Sequence, residues 1–399
     1  MRSPDSGSIT VGPDRTGRII QIDRGRVSAH QPTGAPVLPC QDEQIGPGAV
    51  NAHTHLYSGL APLGIPTIEP PPAHFLDILQ RRWWCLDRAL DATSLRAAAR
   101  LYLAEALLAG TTSLVDHHES PSMIEGSLDV LAQAFDELGA RGLLCYGATD
   151  RNRGPEEGAA GLAECRRFAA CNTSPRLRAL VGLHASFTAS DDTVRQAGAL
   201  CAELGLPLHI HVAEDRADLT DALARRHAGP MERLQVLGAT QPGSILAHGV
   251  HLTHAQVRQT ATRGCWLVHN PRSNEGNGVG FAGNLGASDR VALGTDGWPA
   301  DMIEERNAAV RLGLSRVEAD LRMNRGHALV AEHFQAPPTP LVPGAPGDLV
   351  VRRGAAVVHV VVDGRLVVHE GRLMHADLDG IRAAARAAAP ALWAAMATL

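Results

Sequence analysis

The segment PGAVNAHTH, residues 47–55, reads as a short buried strand that ends in two histidines. An apolar run opened by Pro47-Gly48 suits a strand covered on both faces. Residues i and i+2 of a strand share a face, so the imidazoles of His53 and His55 point the same way where the strand ends. Working outward, short apolar or β-branched runs alternate with longer amphipathic stretches from 48 to 297, the rhythm of βα units around a parallel sheet. Eight strands are expected, at 48–55, 112–118, 142–150, 177–186, 206–213, 244–250, 265–270 and 291–297. Helical patterns such as SLRAAARLYLAEALLAG (94–110), SLDVLAQAFDELG (127–139) and DTVRQAGALCAELG (192–205) fill the gaps, each closing on a glycine that can turn left-handed. The expected fold is α/β, a (β/α)8 TIM barrel over 48–340.

The flanks follow a different pattern. SITVGPDRTGRIIQID (8–23) and DLVVRRGAAVVHVVVDGRLVVHEGRL (348–373) are rich in β-formers, and Asp363-Gly364 offers a tight hairpin turn. Residues 1–47 and 341–376 are therefore expected to build one composite β-sandwich, entered through the Pro-rich linker PPTPLVPGAPG (337–347). An Ala-rich C-terminal helix, 377–399, should be interrupted at Pro390.

Composition narrows the chemistry. The 399 residues are 45% hydrophobic and 20% charged, with no apolar stretch long enough for a membrane span and no targeting pattern at the start, so a cytoplasmic protein is expected. A formal charge of −5 without a basic run gives no footprint for nucleic acid and favours a small-molecule substrate; a homodimer stays open. The seven cysteines are scattered and never spaced C-x-x-C, so they read as free thiols. Lysine is absent and all 37 basic residues are arginine, which removes Schiff-base chemistry, the P-loop lysine and a lysine-bridged metal pair.

In a parallel barrel the active site lies at the C-terminal strand ends. Nearly every expected strand ends in a titratable group: His53 and His55; Asp116, His117 and His118; Asp150; His184; His209, His211 and Glu214; His248; His269; and Asp296. His211 is nearer its strand end than His209 and is the better ligand, while His209 suits an interior orienting role. Three imidazoles (His53, His55, His211) and the Asp296 carboxylate make a site for zinc or iron(II). His184 and His269 are placed for substrate contact or to brace the residues that make it, Trp84 beside Trp83 for an aromatic cap or, equally, for helix packing, and Arg272 for a hydrogen bond to a ring carbonyl or, equally, a pair with a local carboxylate. His117-His118-Glu119 contains H-x-E but lacks the P-C-x-x-C half of the cytidine-deaminase signature.

The set HTH (53–55), HIHVAE (209–214), LAHG (246–249) and GTDG (294–297) resembles the metal-dependent aminohydrolases of the amidohydrolase superfamily, over nearly the whole chain. HLYSGL (55–60), WWCLDRALD (83–91), DHHESP (116–121), GSLDVLAQAF (126–135) and LVHNPRSN (267–274) are similar to its SsnA-type branch. The resemblance implies one divalent ion, zinc ahead of iron(II), on His53, His55, His211 and Asp296. It also implies that Glu214 shuttles protons and that His248 positions a hydroxide, with Asp296 taking the water proton. His118 joins Trp84, His184, His269 and Arg272 as an expected substrate contact. The expected reaction is hydrolytic deamination of an amino-substituted nitrogen heterocycle, purine-like or pterin-like. Ring-opening hydrolysis of a cyclic amide or amidine is the alternative, and a catalytically silent metal-binding scaffold a lesser one.

Overall fold

A computed structural model describes residues 7–399. Eight parallel strands follow one another around the barrel in chain order: Ala49–Thr54, Thr111–His118, Arg141–Ala148, Val181–Ala185, Leu208–Val212, Ile245–His248, Trp266–His269 and Val291–Leu293. Residues on both faces of these strands are buried, as expected when helices cover the outside and side chains fill the inside. A bridge between Thr54 and Asp296 draws the last strand toward the first, with the N–H groups of Thr295 and Asp296 both donating to the His53 carbonyl at 3.0 Å.

Local sequence explains the helices. Asp91 caps Ala92–Leu108 by accepting from the Ser94 N–H, and the Ser94 side chain returns the bond. Ser127–Leu138 ends on Gly139 at φ 83, where a Cβ would also meet the Val367 side chain at 2.7 Å. Among the described residues no helix is long and apolar enough to cross a membrane.

The termini form two sheets. One joins Ile9–Asp14, Ile20–Asp23, Arg26–Ser28 and Val37–Cys40; the other pairs Gln44–Pro47 antiparallel with Leu349–Arg353 and continues through Ala356–Val362, Arg365–His369 and Arg372–Leu373. Ile9, Val11, Ile22, Ile45, Leu349 and Val361 fill a shared core separate from that of the barrel. Asp363 and Gly364, at φ 55 and 73, make the expected tight turn.

Three expectations change. The fourth strand is split: Leu177–Ala179 pairs back on the third, and only Val181–Ala185 also joins the fifth. The Pro-rich segment is no loose linker, because Leu341 and Ala345 enter the terminal core and the Val27 N–H donates to the Ala345 carbonyl at 2.8 Å. The C-terminal helix, Leu378–Met396, runs through Pro390 without a break. Its buried stripe of Ile381, Ala385, Ala389, Leu392 and Met396 packs against Ala92–Leu108, and Arg382 pairs with Glu105 at 2.7 Å. That packing offsets the lost hydrogen bond of an interior proline, worth about 3 kcal/mol.

Candidate active site

At the mouth of the barrel, second hydrogen bonds fix the orientation of three histidine rings. His53 Nδ1 lies 2.9 Å from His209 Nε2, so its own Nε2 is free; that atom is buried, has no hydrogen-bond partner and sits 3.3 Å from Asp296 Oδ1. His55 Nδ1 donates to the His117 carbonyl at 2.5 Å, leaving Nε2 at 2.8 Å from Asp296 Oδ1 and 3.2 Å from His211 Nε2. His211 Nδ1 in turn donates to the His184 carbonyl at 2.5 Å. His55 Nε2 thus lies close to both Asp296 Oδ1 and His211 Nε2, and donor atoms of His53, His211, His248 and Asp296 lie within 4.8 Å of one another. Donors held about 2 Å from an ion lie roughly 3 to 3.5 Å apart, so this cluster is able to hold a metal ion. His209 is the interior orienting residue that its depth in the strand suggests, and its Nδ1 continues to Cys145 Sγ at 3.6 Å.

Electrostatics at this point favour a cation. Burial takes His53 down to about 3, so its ring is neutral and its lone pair available. Burial also opposes charge on His55, but Asp296 and Glu119 outweigh it and push that ring up to about 10. Asp296 is held well below the usual carboxylate range, burial notwithstanding, by His53 and His55. Its Oδ2 accepts a short hydrogen bond from Ser273.

Glu214 and His248 stand beside this cluster. Burial and the charge of Asp296 push Glu214 well above the usual carboxylate range, and Asn277 donates to its Oε1 at 3.4 Å. A shift in this direction favours the protonated form and suits a proton donor. His248 shares a 2.9 Å bond between Nδ1 and Asn274 Oδ1, and its buried Nε2 has no partner, 3.6 Å from Glu214 Oε2. Its donor atom also falls within 4.8 Å of those of His53, His211 and Asp296. Ala213, His248 and Asp296 have φ of 50, 74 and 53, left-handed values for non-glycine residues at the ends of the fifth, sixth and eighth strands. Strain of this kind is retained where the surroundings over-determine it, and here it aims side chains into the mouth.

Of the expected substrate contacts, Trp84 and His184 line the cavity over this cluster, together with Tyr57, Trp83, Phe187 and Trp298. His118, His269 and Arg272 do not. His118 bonds Ser120 Oγ at 2.8 Å, and His269 meets Arg322 at 3.1 Å. Arg272 turns to Glu305 at 2.5 Å and to the Pro299 carbonyl at 2.6 Å, bracing the start of the helix Met302–Arg311. The local-carboxylate pairing open for Arg272 is the one adopted, because the buried Glu305 needs a counter-charge. From the polar run 269–274, Ser273 and Asn274 reach the site through Asp296 and His248, and Asn277, one turn on from Ser273 and outside that run, joins them at Glu214. Glu119, buried 2.7 Å from His117 Nδ1, is the carboxylate of the H-x-E at 117–119, whose period of two puts it on the face of His117.

Comparison with known proteins agrees with this geometry. The Amidohydrolase family model matches residues 45–330. A 5-methylthioadenosine/S-adenosylhomocysteine deaminase of Desulforudis audaxviator is 30% identical, covering 93% of this chain and 94% of the relative. An 8-oxoguanine deaminase of Pseudomonas aeruginosa is 26% identical over 88% of this chain and 84% of its own length. A solved adenosine deaminase from Xanthomonas campestris with bound zinc superposes with a TM-score of 0.81 at 22% identity, covering 96% of this chain and 98% of that one. From a family model spanning most of the chain and a relative matched nearly end to end, the protein belongs to the amidohydrolase family.

Proposed function

We propose that this chain is an aminohydrolase that removes, by hydrolysis, the exocyclic amine of an aromatic nitrogen heterocycle, purine-like or pterin-like, using one divalent ion. The observation that carries this reading is a juxtaposition: a cluster of imidazole Nε2 atoms around Asp296 Oδ1, and beside it Glu214, whose Oε2 lies 3.6 Å from an unpartnered His248 Nε2.

His53, His55, His211 and Asp296 would hold the ion, zinc ahead of iron(II). When bound, such an ion supplies a nucleophilic water at neutral pH. The residues then divide the work. Asp296, ionised and steadied by Ser273, accepts the proton of the attacking water. His248, held by Asn274, presents Nε2 to that water and orients it. Glu214 delivers its proton to the ring nitrogen next to the carbon under attack, which suits an N=C–NH₂ unit. The proton taken by Asp296 then passes to the exocyclic nitrogen, and the C–N bond breaks to release ammonia as the new C–O bond becomes a carbonyl and its hydroxyl proton leaves to Glu214. The aromatic walls hold the ring and exclude bulk water. The deaminase names of the relatives support the same bond type.

The test is hydrolysis across aminopurines, pterins, aminopyrimidines and cyclic ureides, with product mass and ammonia both followed. Replacement of a ring amine by oxygen with an equivalent of ammonia released is the expected result. Uptake of water with no ammonia released would identify ring opening and overturn the deamination reading.

A further inference from the structure

The cavity over the metal-ligating cluster is narrow, about 50 Å³, and its walls are unusually poor in charge. Among the described residues its only carboxylates are Glu214 and Asp296, and no arginine lines it. Two guanidinium groups next to lining residues, those of Arg272 beside Ser273 and Arg151 behind Trp84, are both engaged elsewhere. Arg272 is spent on Glu305 and the Pro299 carbonyl. Arg151 lies behind Trp84, its guanidinium carbon 5.0 Å from the ring centroid, and forms a short buried ion pair with Asp87. Trp84 lines the cavity and Arg151 does not, so the indole screens that cation from a ligand.

We infer that the substrate is a neutral free base, a planar amino-heterocycle held between Trp84, Trp83 and Trp298, and that nucleosides and ligands with an ionised tail are disfavoured. This rests on the deamination reading and narrows it. Away from the metal-ligating cluster, a carboxylate or phosphate tail meets no arginine among the described lining residues to replace its water, which is costly. A ribose diol is usually met by a spare Asp or Glu, and both carboxylates here are committed to proton transfer and the metal-ligating set. A flat neutral ring loses only its hydration and gains stacking on the indoles.

The measurement is equilibrium binding, read by quenching of tryptophan emission, run beside ammonia release. The ligands are free bases (adenine, guanine, 8-oxoguanine, pterins and aminopyrimidines), the matching nucleosides, and S-adenosylhomocysteine. At least one free base should bind about 10²-fold or more tightly than its nucleoside and than S-adenosylhomocysteine. A nucleoside or S-adenosylhomocysteine binding as tightly as the best base would overturn the inference, and so would failure of every free base to bind. Absence of ammonia from all of them would refute the deamination reading instead, while the binding order still decides this one.

Discussion

At the barrel mouth His53, His55, His211 and His248 are buried beside a half-buried Asp296, and the Nε2 atoms of His53 and His248 have no hydrogen-bond partner. In the terminal sandwich they are Ile9, Val11, Ile22, Leu349 and Val361, and the buried carboxylate of Asp14 is saturated by the Ile45, Thr16 and Arg18 N–H groups. Both regions are equally shielded from water, yet they use burial in opposite ways. The sandwich converts it into stability through apolar area. The mouth forgoes that gain, keeping imidazoles and carboxylates where desolvation shifts their protonation and where an ion has orphaned donors to meet. Changes at the mouth should therefore cost turnover but little stability, and changes in the sandwich the reverse.

Asp296→Asn should show the largest effect. Asparagine tolerates the left-handed backbone and keeps the shape, but removes the charge that balances a cation and accepts the water proton. Turnover should fall by about 10⁴-fold, while the melting temperature holds or rises as a buried charge is lost. A large drop in melting temperature would show that the mouth is also structural. Glu214→Gln comes next, with turnover lower by about 10² to 10⁴ at unchanged metal content. Metal loss in that variant would make Glu214 a ligand.

The sandwich supplies the converse. Ile22→Ala, at a fully buried site, should reduce unfolding free energy by about 2–5 kcal/mol with kcat intact once the protein is folded. A fall in kcat would mean that the sandwich shapes the mouth. The smallest effect is expected for Asp14→Asn, about 1–3 kcal/mol. Burial opposes ionisation of Asp14, but the bonds from Ile45, Thr16 and Arg18 win and hold its carboxyl well below the usual range. A depressed folded-state pKa stabilises above the unfolded value and is lost as pH falls toward the folded one. Denaturant midpoints of wild type and variant should therefore converge as the pH drops below about 4.

Where sequence reading succeeded, a local period carried the information. H-x-H at 53–55 and at 209–211 fixes which rings share a face, whatever surrounds them. The Asp363-Gly364 turn is equally local. What was not legible depends on partners distant in the chain. Arg272 turned away because Glu305, 33 residues on, needed it. Pro390 stays helical because Ala92–Leu108 lies beneath it. The left-handed turns at Ala213, His248 and Asp296 are set by the barrel rim, since none of these residue types announces such a backbone as glycine would. Glu119 is visible as H-x-E with His117, but its closeness to His55, 3.7 Å away, appears only when the second strand is placed next to the first.

The central claim is that one ion at the mouth, held by His53, His55, His211 and Asp296, carries the reaction. Its most direct test is to strip the protein with a chelator, return zinc in steps, and follow bound metal and ammonia release together on a substrate found in the panel. Activity should be lost on stripping and rise in proportion to bound zinc, levelling at one equivalent per chain, with little change in the unfolding of the sandwich. Full activity in the stripped protein, or activity that appears only with a second equivalent, would contradict it.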